Sequence, residues 1–315
     1  MATILITGGT GMIGKAIAKA LLEKNYKVII LTRKLRDKRY GIKDAQNESL
    51  IANPVSHIAF ALWNVHEQTI DRDAIQQADH IIHLAGANIA EKRWTKKRKK
   101  EIVDSRVKSS ELLVKALKEI PNKVQSVISA SAIGWYGKDP AKGNKGFTET
   151  DPPVNNFLGE TCRQWEESLQ PVTGLGKRLV QLRTGIVLSK DEGALKEFEK
   201  PTQFGIAAIL GNGKQVISWI HIDDLVRMYI AAIENENMSG VYNAVAPNPV
   251  TNKELVIQLA RSGKRFYISV YVPSFILKLI LGELSIEVLK STTVSAEKIQ
   301  QSGFVFRYPG IKSFL

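Results

Sequence analysis

Short apolar runs alternate with amphipathic stretches over most of the chain, and this alternation predicts the architecture. Thr3 to Ile6 is a β-branched run that reads as a buried strand. Ile17, Ala18, Ala20, Leu21 and Leu22 then recur at helical spacing, and the helix runs out near Asn25. Lys27 to Thr32 (KVIILT) is a second strand, of the type buried on both faces. Strand, glycine turn, helix and strand make one βαβ unit, and such units cross over right-handed into a parallel sheet.

The same rhythm predicts strands at His57–Leu62, His80–Leu84, Gln125–Ser131 and Leu179–Arg183, with a short one around Val241–Asn243. Helices are predicted at Glu67–Gln77, Glu91–Glu119, Phe157–Gln170 and Asp223–Glu234. The rhythm breaks at 189–215 and again after 246. The expected fold class is therefore α/β: a Rossmann doubly wound parallel sheet from residues 1–188 and 216–246. A smaller α+β lobe from 189–215 and 247–315 is expected on the substrate side, over the C-terminal ends of the strands.

Composition narrows the class. At 44% hydrophobic and 24% charged over 315 residues, the chain is neither disordered nor low-complexity. The single cysteine, Cys162, excludes an internal disulfide framework. Five His and one Cys without ligand spacing predict no metal site. The start of the chain lacks a basic n-region. The most apolar later run, Ile268–Leu281, is interrupted by Pro273, Ser274 and Lys278 and is too short to span a bilayer. A cytoplasmic protein with no membrane partner is the expectation.

Gly8, Gly11 and Gly14 supply what a dinucleotide pyrophosphate requires. These are a tight turn, a backbone without a Cβ in the way, and close packing of helix on strand. The helix N-terminus adds unpaired N–H groups and partial positive charge. The second strand ends in Leu31-Thr32-Arg33-Lys34 with no carboxylate to hold a ribose 2′-hydroxyl. Arg33 can instead take a 2′-phosphate bidentately, so NADP (NADPH) is expected over NAD.

The motifs now on the page resemble the extended short-chain dehydrogenase/reductase superfamily. The turn Thr7-Gly8-Gly9-Thr10-Gly11-Met12-Ile13-Gly14 matches its TGxxGxxG form, followed by His83-Leu84-Ala85-Gly86, Ser129 to Gly137, Leu182 to Leu188 and Trp219 to Leu225. More narrowly, the chain is similar to an atypical, YfcH-like branch of NAD(P)-binding epimerase-family proteins. Arg93-Trp94, Ser105-Arg106, Phe157-Leu158 and Trp165-Glu166 carry that likeness, as does a closing domain with Val272-Pro273-Ser274, Leu281-Gly282-Glu283 and Gly303 to Pro309. The resemblance implies a Rossmann core, a small lobe and NADP(H) binding. It implies cofactor contacts from Gly8, Thr10, Gly11, Met12, Ile13, Gly14, Arg33, Ala85 and Gly86, with Arg93 reaching a cofactor phosphate. Ala87 stands where relatives often carry an acidic residue.

The superfamily's proton chemistry uses a Tyr with a Lys four residues on, helped by a strand-end Ser. Here no Tyr or Lys lies between Asp151 and Pro171, and the aligned positions hold Phe157 and Thr161. Ser131 remains as the serine. Tyr136 is the first candidate for a replacement donor, or else a packed aromatic; Glu160 or Glu166 would serve if burial raised its pKa. Glu166 could equally pair with a neighbour. Arg183 lies either at the pocket floor or in a buried ion pair, and Cys162 reads as packed. His83 reads as a satisfied structural histidine, and Asp223 as a helix cap beside His221.

The net charge of +13 has two sources. One is Arg33, Lys34, Arg36, Lys38, Arg39 and Lys43, where a 2′-phosphate would sit. The other is the run Lys92 to Lys100, seven of nine residues cationic, which reads as a solvated helix face rather than a nucleic-acid patch. The functional expectation is oxidoreductase or epimerase chemistry on a carbonyl or hydroxyl of a small molecule, sugar-like substrates included, by a possible homodimer. A non-catalytic NADP(H) sensor or scaffold is the alternative.

Overall fold

The computed structural model describes residues 1–34, 57–140, 145–263 and 266–315. Its strands are β1 (Thr3–Thr7), β2 (Lys27–Thr32), β3 (Ile58–Asn64), β4 (Thr69–Ile70), β5 (His80–His83), β6 (Ser126–Ala132) and β7 (Arg178–Thr184). Then come β8 (Ile186–Leu188), β9 (Ile206–Leu210), β10 (Val216–Ile217), β11 (Trp219–His221), β12 (Gly240–Ala244), β13 (Val250–Thr251) and β14 (Ile268–Val272). The helices that matter below are α1 (Met12–Glu23), α2 (Arg72–Gln77), α3 (Lys96–Glu119), α4 (Phe157–Leu169), α5 (Pro171–Gly174) and α6 (Ala194–Thr202). They continue with α7 (Ile222–Glu234), α8 (Asn252–Ser262), α9 (Ser274–Leu281) and α10 (Leu284–Leu289).

The large sheet has the order β12-β7-β6-β5-β1-β2-β3-β4. It is parallel except for the β3–β4 hairpin. Because the order runs outward in both directions from β1 and β5, the crevice for a ligand opens at their C-terminal ends. Strand alternation splits the core into two layers. Ile4, Ile6 and Ile30 pack with Ile17 and Leu21 of α1 and Leu225 and Tyr229 of α7. Leu5, Ile29 and Leu31 point the other way, onto Ile75 of α2 and Leu112 and Leu113 of α3.

Several predicted bounds shift for local reasons. The helix expected at Glu67–Gln77 is a hairpin turn through Gln68 (φ 53°), then α2. Asp71 caps α2 by accepting from the Ala74 amide at 2.8 Å. The helix expected from Glu91 begins only at Lys96, where Thr95 caps it. Helix α7 is capped by His221 Nδ1, which accepts from the Asp223 amide at 3.1 Å, and not by Asp223. Asp224 is buried instead and accepts from the Arg307 and Tyr308 amides, tying down the C-terminal segment.

In the smaller lobe, β9 pairs with β14, and Ala207 of β9 packs against Val256 and Ala260 of α8. Residues 291–306, expected in this lobe, run back to the large sheet. Val294, Ala296 and Ile299 join its core, and Asp139 accepts from the Thr293 amide at 2.7 Å. Among the described residues, no helix is long and apolar enough to cross a membrane, and no cluster of His, Cys, Asp or Glu is placed to hold a metal ion.

Candidate functional site

At the dinucleotide end of the crevice the site is backbone. Gly8 has φ +67° and lies against Leu84, where a Cβ would come within 2.9 Å of the carbonyl carbon. A Cβ on Gly14 would meet the Gly8 oxygen at 2.4 Å, so α1 can approach β1 only with glycine there. Gly11 is different: its nearest neighbour would be the Gly8 oxygen at 3.5 Å, an ordinary contact. Protein packing does not demand glycine at 11, whereas a ligand laid against the backbone does. Gly11 is also the N-cap of α1 and supplies no side-chain cap, and no acidic residue sits in the first turn. The amides and dipole of a 12-residue helix are therefore left for an anion. Thr10, Met12 and Ile13 continue this rim, and Gly193 (φ +92°) brings the lobe onto the Met12 thioether.

At the end of β2, Arg33 and Lys34 are both exposed, with the Thr32 hydroxyl donating to the Lys34 carbonyl. Arg36, Lys38, Arg39 and Lys43, the rest of the predicted cationic cluster, lie outside the described residues. These features fit an NAD(P) dinucleotide. The floor beneath is a polar seam. His83 is fully buried, with Nδ1 2.7 Å from the Thr7 hydroxyl and Nε2 3.3 and 3.2 Å from the Ser109 and Ser110 hydroxyls of α3. Burial pushes its pKa down to about 3, so it is neutral and structural.

The loop after β5 forms the wall. Ala85 donates its amide to the Thr7 hydroxyl, and Ser105 accepts from the Ala87 amide at 2.9 Å. Arg106 lies against Gly86, donates to the Ala87 carbonyl and stacks 5.0 Å from the Trp165 ring. Arg93, expected at a cofactor phosphate, donates instead to the Leu279 carbonyl of α9 at 3.1 Å. Beside it, Trp94 packs edge-on against Phe157 of α4 and donates its indole N–H to the Ile89 carbonyl at 2.8 Å.

The reaction end is a buried ionic network. Arg183 on β7 makes paired bonds to both Glu166 oxygens at 2.9 Å, and the two side chains are 3% and 6% exposed. Its guanidinium also stacks 3.6 Å from the Trp135 ring and donates to the Tyr136 hydroxyl at 3.0 Å. Ser131, at the end of β6, donates to Glu166 at 2.6 Å. Tyr136 donates to Asn243 of β12 at 2.6 Å, and the Asn243 amide bonds to Glu149.

Residues 4–158 match the model of the NAD dependent epimerase/dehydratase family, and residues 272–315 match a domain of unknown function, DUF1731. An epimerase family protein of Staphylococcus saprophyticus is 35% identical over 308 residues, covering 98% of this chain and 96% of its own. The chain belongs to the epimerase family. Another member, from Mycobacterium leprae, is 32% identical over 98% of this chain and 92% of its own. Among solved structures, the human epimerase family protein SDR39U1 with NADPH superposes with a TM-score of 0.83. It is 24% identical and covers 99% of this chain and 97% of that one. A nucleoside-diphosphate sugar epimerase from Corynebacterium glutamicum is 30% identical with a TM-score of 0.73. The match covers 98% of this chain but 56% of that longer one.

Within an epimerase-family fold, the two expected catalytic groups, Ser131 and Tyr136, are both buried. Tyr136 does not face an open pocket. It is fully buried and stacked on Phe147 at 5.3 Å, and burial pushes its pKa up to about 12. The turn at Ile133–Trp135 swings its ring inward toward β12, which withdraws it as a proton donor in this conformation. Ser131 is 3% exposed and committed to Glu166. Glu160 is not raised by burial: it lies at the surface, and Arg163 beside it holds its pKa down to about 2. Cys162 is buried and its thiol pushed up to about 12, so it is packed and unreactive. Sequence reasoning missed Asn243 and Glu149, which carry no motif, and did not foresee that Arg98, inside the basic run, is 5% exposed and paired with Glu91 and Glu101.

Proposed function

We propose that this epimerase-family protein binds NADP(H) and carries out hydride chemistry at a carbonyl or hydroxyl of a small substrate. The observation that carries the reading is the Gly11 cradle beside an uncapped helix N-terminus, with Arg33 and no carboxylate at the close of β2. The related human protein, whose structure is described with NADPH, supports the choice of nucleotide. When bound, the nicotinamide supplies or accepts the hydride. The chain's own residues bind and orient: the backbone amides of Met12, Ile13 and Gly14, left open at the start of α1, take the pyrophosphate, and Arg33 takes the 2′-phosphate. At the reaction end, Ser131 is the polar group at the strand end. Its short bond to Glu166 gives a route by which a proton leaving or reaching the serine oxygen passes to a carboxylate held by Arg183.

Titration of purified protein with NADPH and NADH tests the nucleotide. NADPH is expected to bind at least tenfold more tightly, and Arg33→Ala to remove that preference while leaving NADH affinity unchanged. Unchanged NADPH affinity in the variant overturns the role of Arg33. A second reading, a binder that does not turn over, is favoured by Phe157 and Thr161 at the positions of the missing pair: Thr161 spends its hydroxyl on the Phe157 carbonyl at 2.6 Å. Following NADPH absorbance across a panel of carbonyl substrates separates the two, since tight binding with no oxidation selects the binder.

A further inference from the structure

Helix α9 wears its apolar residues on the outside. It follows Pro273 and reads SFILKLIL, and Leu277 is its one buried side chain. Phe275, Leu279 and Ile280 are 69%, 75% and 62% exposed. At 3.6 residues per turn these three and the half-buried Ile276 fall on one arc of about 140°, with no polar residue inside it. Phe275 and Leu279, like Ile276 and Ile280, stand one turn apart and are neighbours on the helix surface. A surface helix ordinarily turns such a stripe to the core and its charge to water. Here the stripe faces water, and the single charged residue of α9, Lys278, is exposed at its border.

The fold sets this stripe beside the basic run. Arg93 donates to the Leu279 carbonyl at 3.1 Å, and a Cβ on Gly282, just past α9, would lie 3.3 Å from the Arg93 guanidinium. Lys99 of α3 pairs with Glu283. The start of α3 and the loop before it therefore meet the C-terminal end of α9. Lys92, Arg93, Lys96, Lys97 and Lys100 are all exposed there. Lys100 pairs with Asp104, while Lys96 and Lys97 have no carboxylate in ion-pair reach among the described residues. Helix stability does not ask for cations at this point. The first turn of α3 holds no acidic residue, and the helix dipole opposes positive charge there.

We propose that α9 and the run Lys92 to Lys100 together seat the chain on an anionic lipid surface. Phe275, Leu279 and Ile280 enter the boundary between headgroups and acyl chains, and the lysines stay with the headgroups on their long stems. Crossing a bilayer takes about 20 apolar residues, but an interfacial seat takes one exposed face, so a run too short to span suffices here. The charge selects against other occupants. A second copy docked about a two-fold axis would set basic run on basic run, because each patch then meets itself. A nucleic acid would engage the lysines but leave the aliphatic Leu279 and Ile280 in water. The three exposed apolar side chains amount to roughly 350 Å², under half of the ~800 Å² that a protein partner covers, and lysine is depleted at such interfaces. A layer anionic at its surface and apolar beneath uses both halves of the patch.

Sedimentation of the full chain with lipid vesicles tests the seat. Vesicles of equal parts phosphatidylcholine and phosphatidylserine are expected to bind at least tenfold more tightly than phosphatidylcholine alone, an advantage that fades at high salt. Phe275→Ser with Leu279→Ser, and Lys96→Glu with Lys97→Glu, are each expected to weaken that binding at least tenfold with no loss of urea midpoint. No sedimentation with either vesicle at low salt, equal binding to both, or binding that survives either double variant overturns the proposal. So does a dimer by light scattering that the Phe275→Ser, Leu279→Ser variant dissolves, which gives the face to a second copy. Should a variant fail to fold, hydrogen exchange on the unmutated chain decides. Slower exchange in α9 on adding phosphatidylserine vesicles supports the seat, and unchanged exchange there refutes it.

Discussion

At one end of the crevice Gly8, Gly11 and Gly14 shape bare backbone around a helix N-terminus, while at the other Arg183, Glu166, Ser131 and Tyr136 fill the space with paired polar groups. The first end leaves room: a Cβ at Gly11 would touch one atom at 3.5 Å. The second leaves none, with Tyr136 fully buried and the ion pair shielded by Trp135. An open backbone site stabilises nothing until a ligand arrives, whereas a closed ionic network holds β6, β7, α4 and β12 together before any ligand does. This chain thus keeps a backbone cradle at one end and, at the other, a network that holds its elements together.

The largest effect that would test this contrast is expected from Glu166→Gln. The substitution keeps the shape but leaves the Arg183 guanidinium buried without its counter-charge and turns one of the two oxygens that receive Arg183 and Ser131 into an amide donor. Breaking one side of a buried pair costs about 3–5 kcal/mol, read as a lower urea midpoint. Loss of under about 1 kcal/mol would mean the network is not structural. In that case the reaction end resembles the cradle more than it differs from it.

Next in size is a pH effect at the joint beneath the cradle. Burial holds the His83 pKa down at about 3, against the 6.5 of an exposed histidine. Below pH 6.5 the unfolded chain takes up a proton that the folded one refuses until about pH 3, so stability is full above this range and falls as pH falls. From pH 7.5 to 5.0 the loss from this residue is about 2 kcal/mol. Urea unfolding at both pH values is expected to show a shallower dependence in His83→Gln than in the wild type. Equal slopes would take His83 out of the account.

The same contrast explains how far the sequence could be read. The cradle was legible because backbone demands act locally: a turn against Leu84 and a helix pressed on Gly8 each require glycine, and the three lie within seven residues. The absence of the Tyr and Lys was equally plain, since Phe157 and Thr161 occupy one helix. The network was not legible, because Ser131, Glu149, Glu166, Arg183 and Asn243 come from four elements and a loop, and no spacing links them. Tyr136 looked like a pocket residue by its distance from Ser131, and one short turn reversed its direction. The basic run misled in part for a similar reason. Arg98 sits among solvated lysines in sequence but is folded under the loop, where the Asn88 carbonyl and Glu91 receive it.

The smallest stability effect belongs to Gly11→Ala, and it is the most discriminating. The residue has φ −80° and ψ 171°, open to any amino acid, and its Cβ would meet no closer atom than the Gly8 oxygen. Stability is therefore expected to change by less than about 1 kcal/mol, the range for an N-cap exchange. Under the proposed function, the added methyl nevertheless stands where the pyrophosphate would lie against the backbone. NADPH affinity is expected to fall at least tenfold, about 1.4 kcal/mol of binding free energy, by calorimetry. Gly14→Ala reverses the pattern, because its Cβ would come within 2.4 Å of the Gly8 oxygen and strain the fold itself. If Gly11→Ala bound NADPH as the wild type does, the open space at Gly11 would be incidental, and the crevice would lose its main evidence of a ligand.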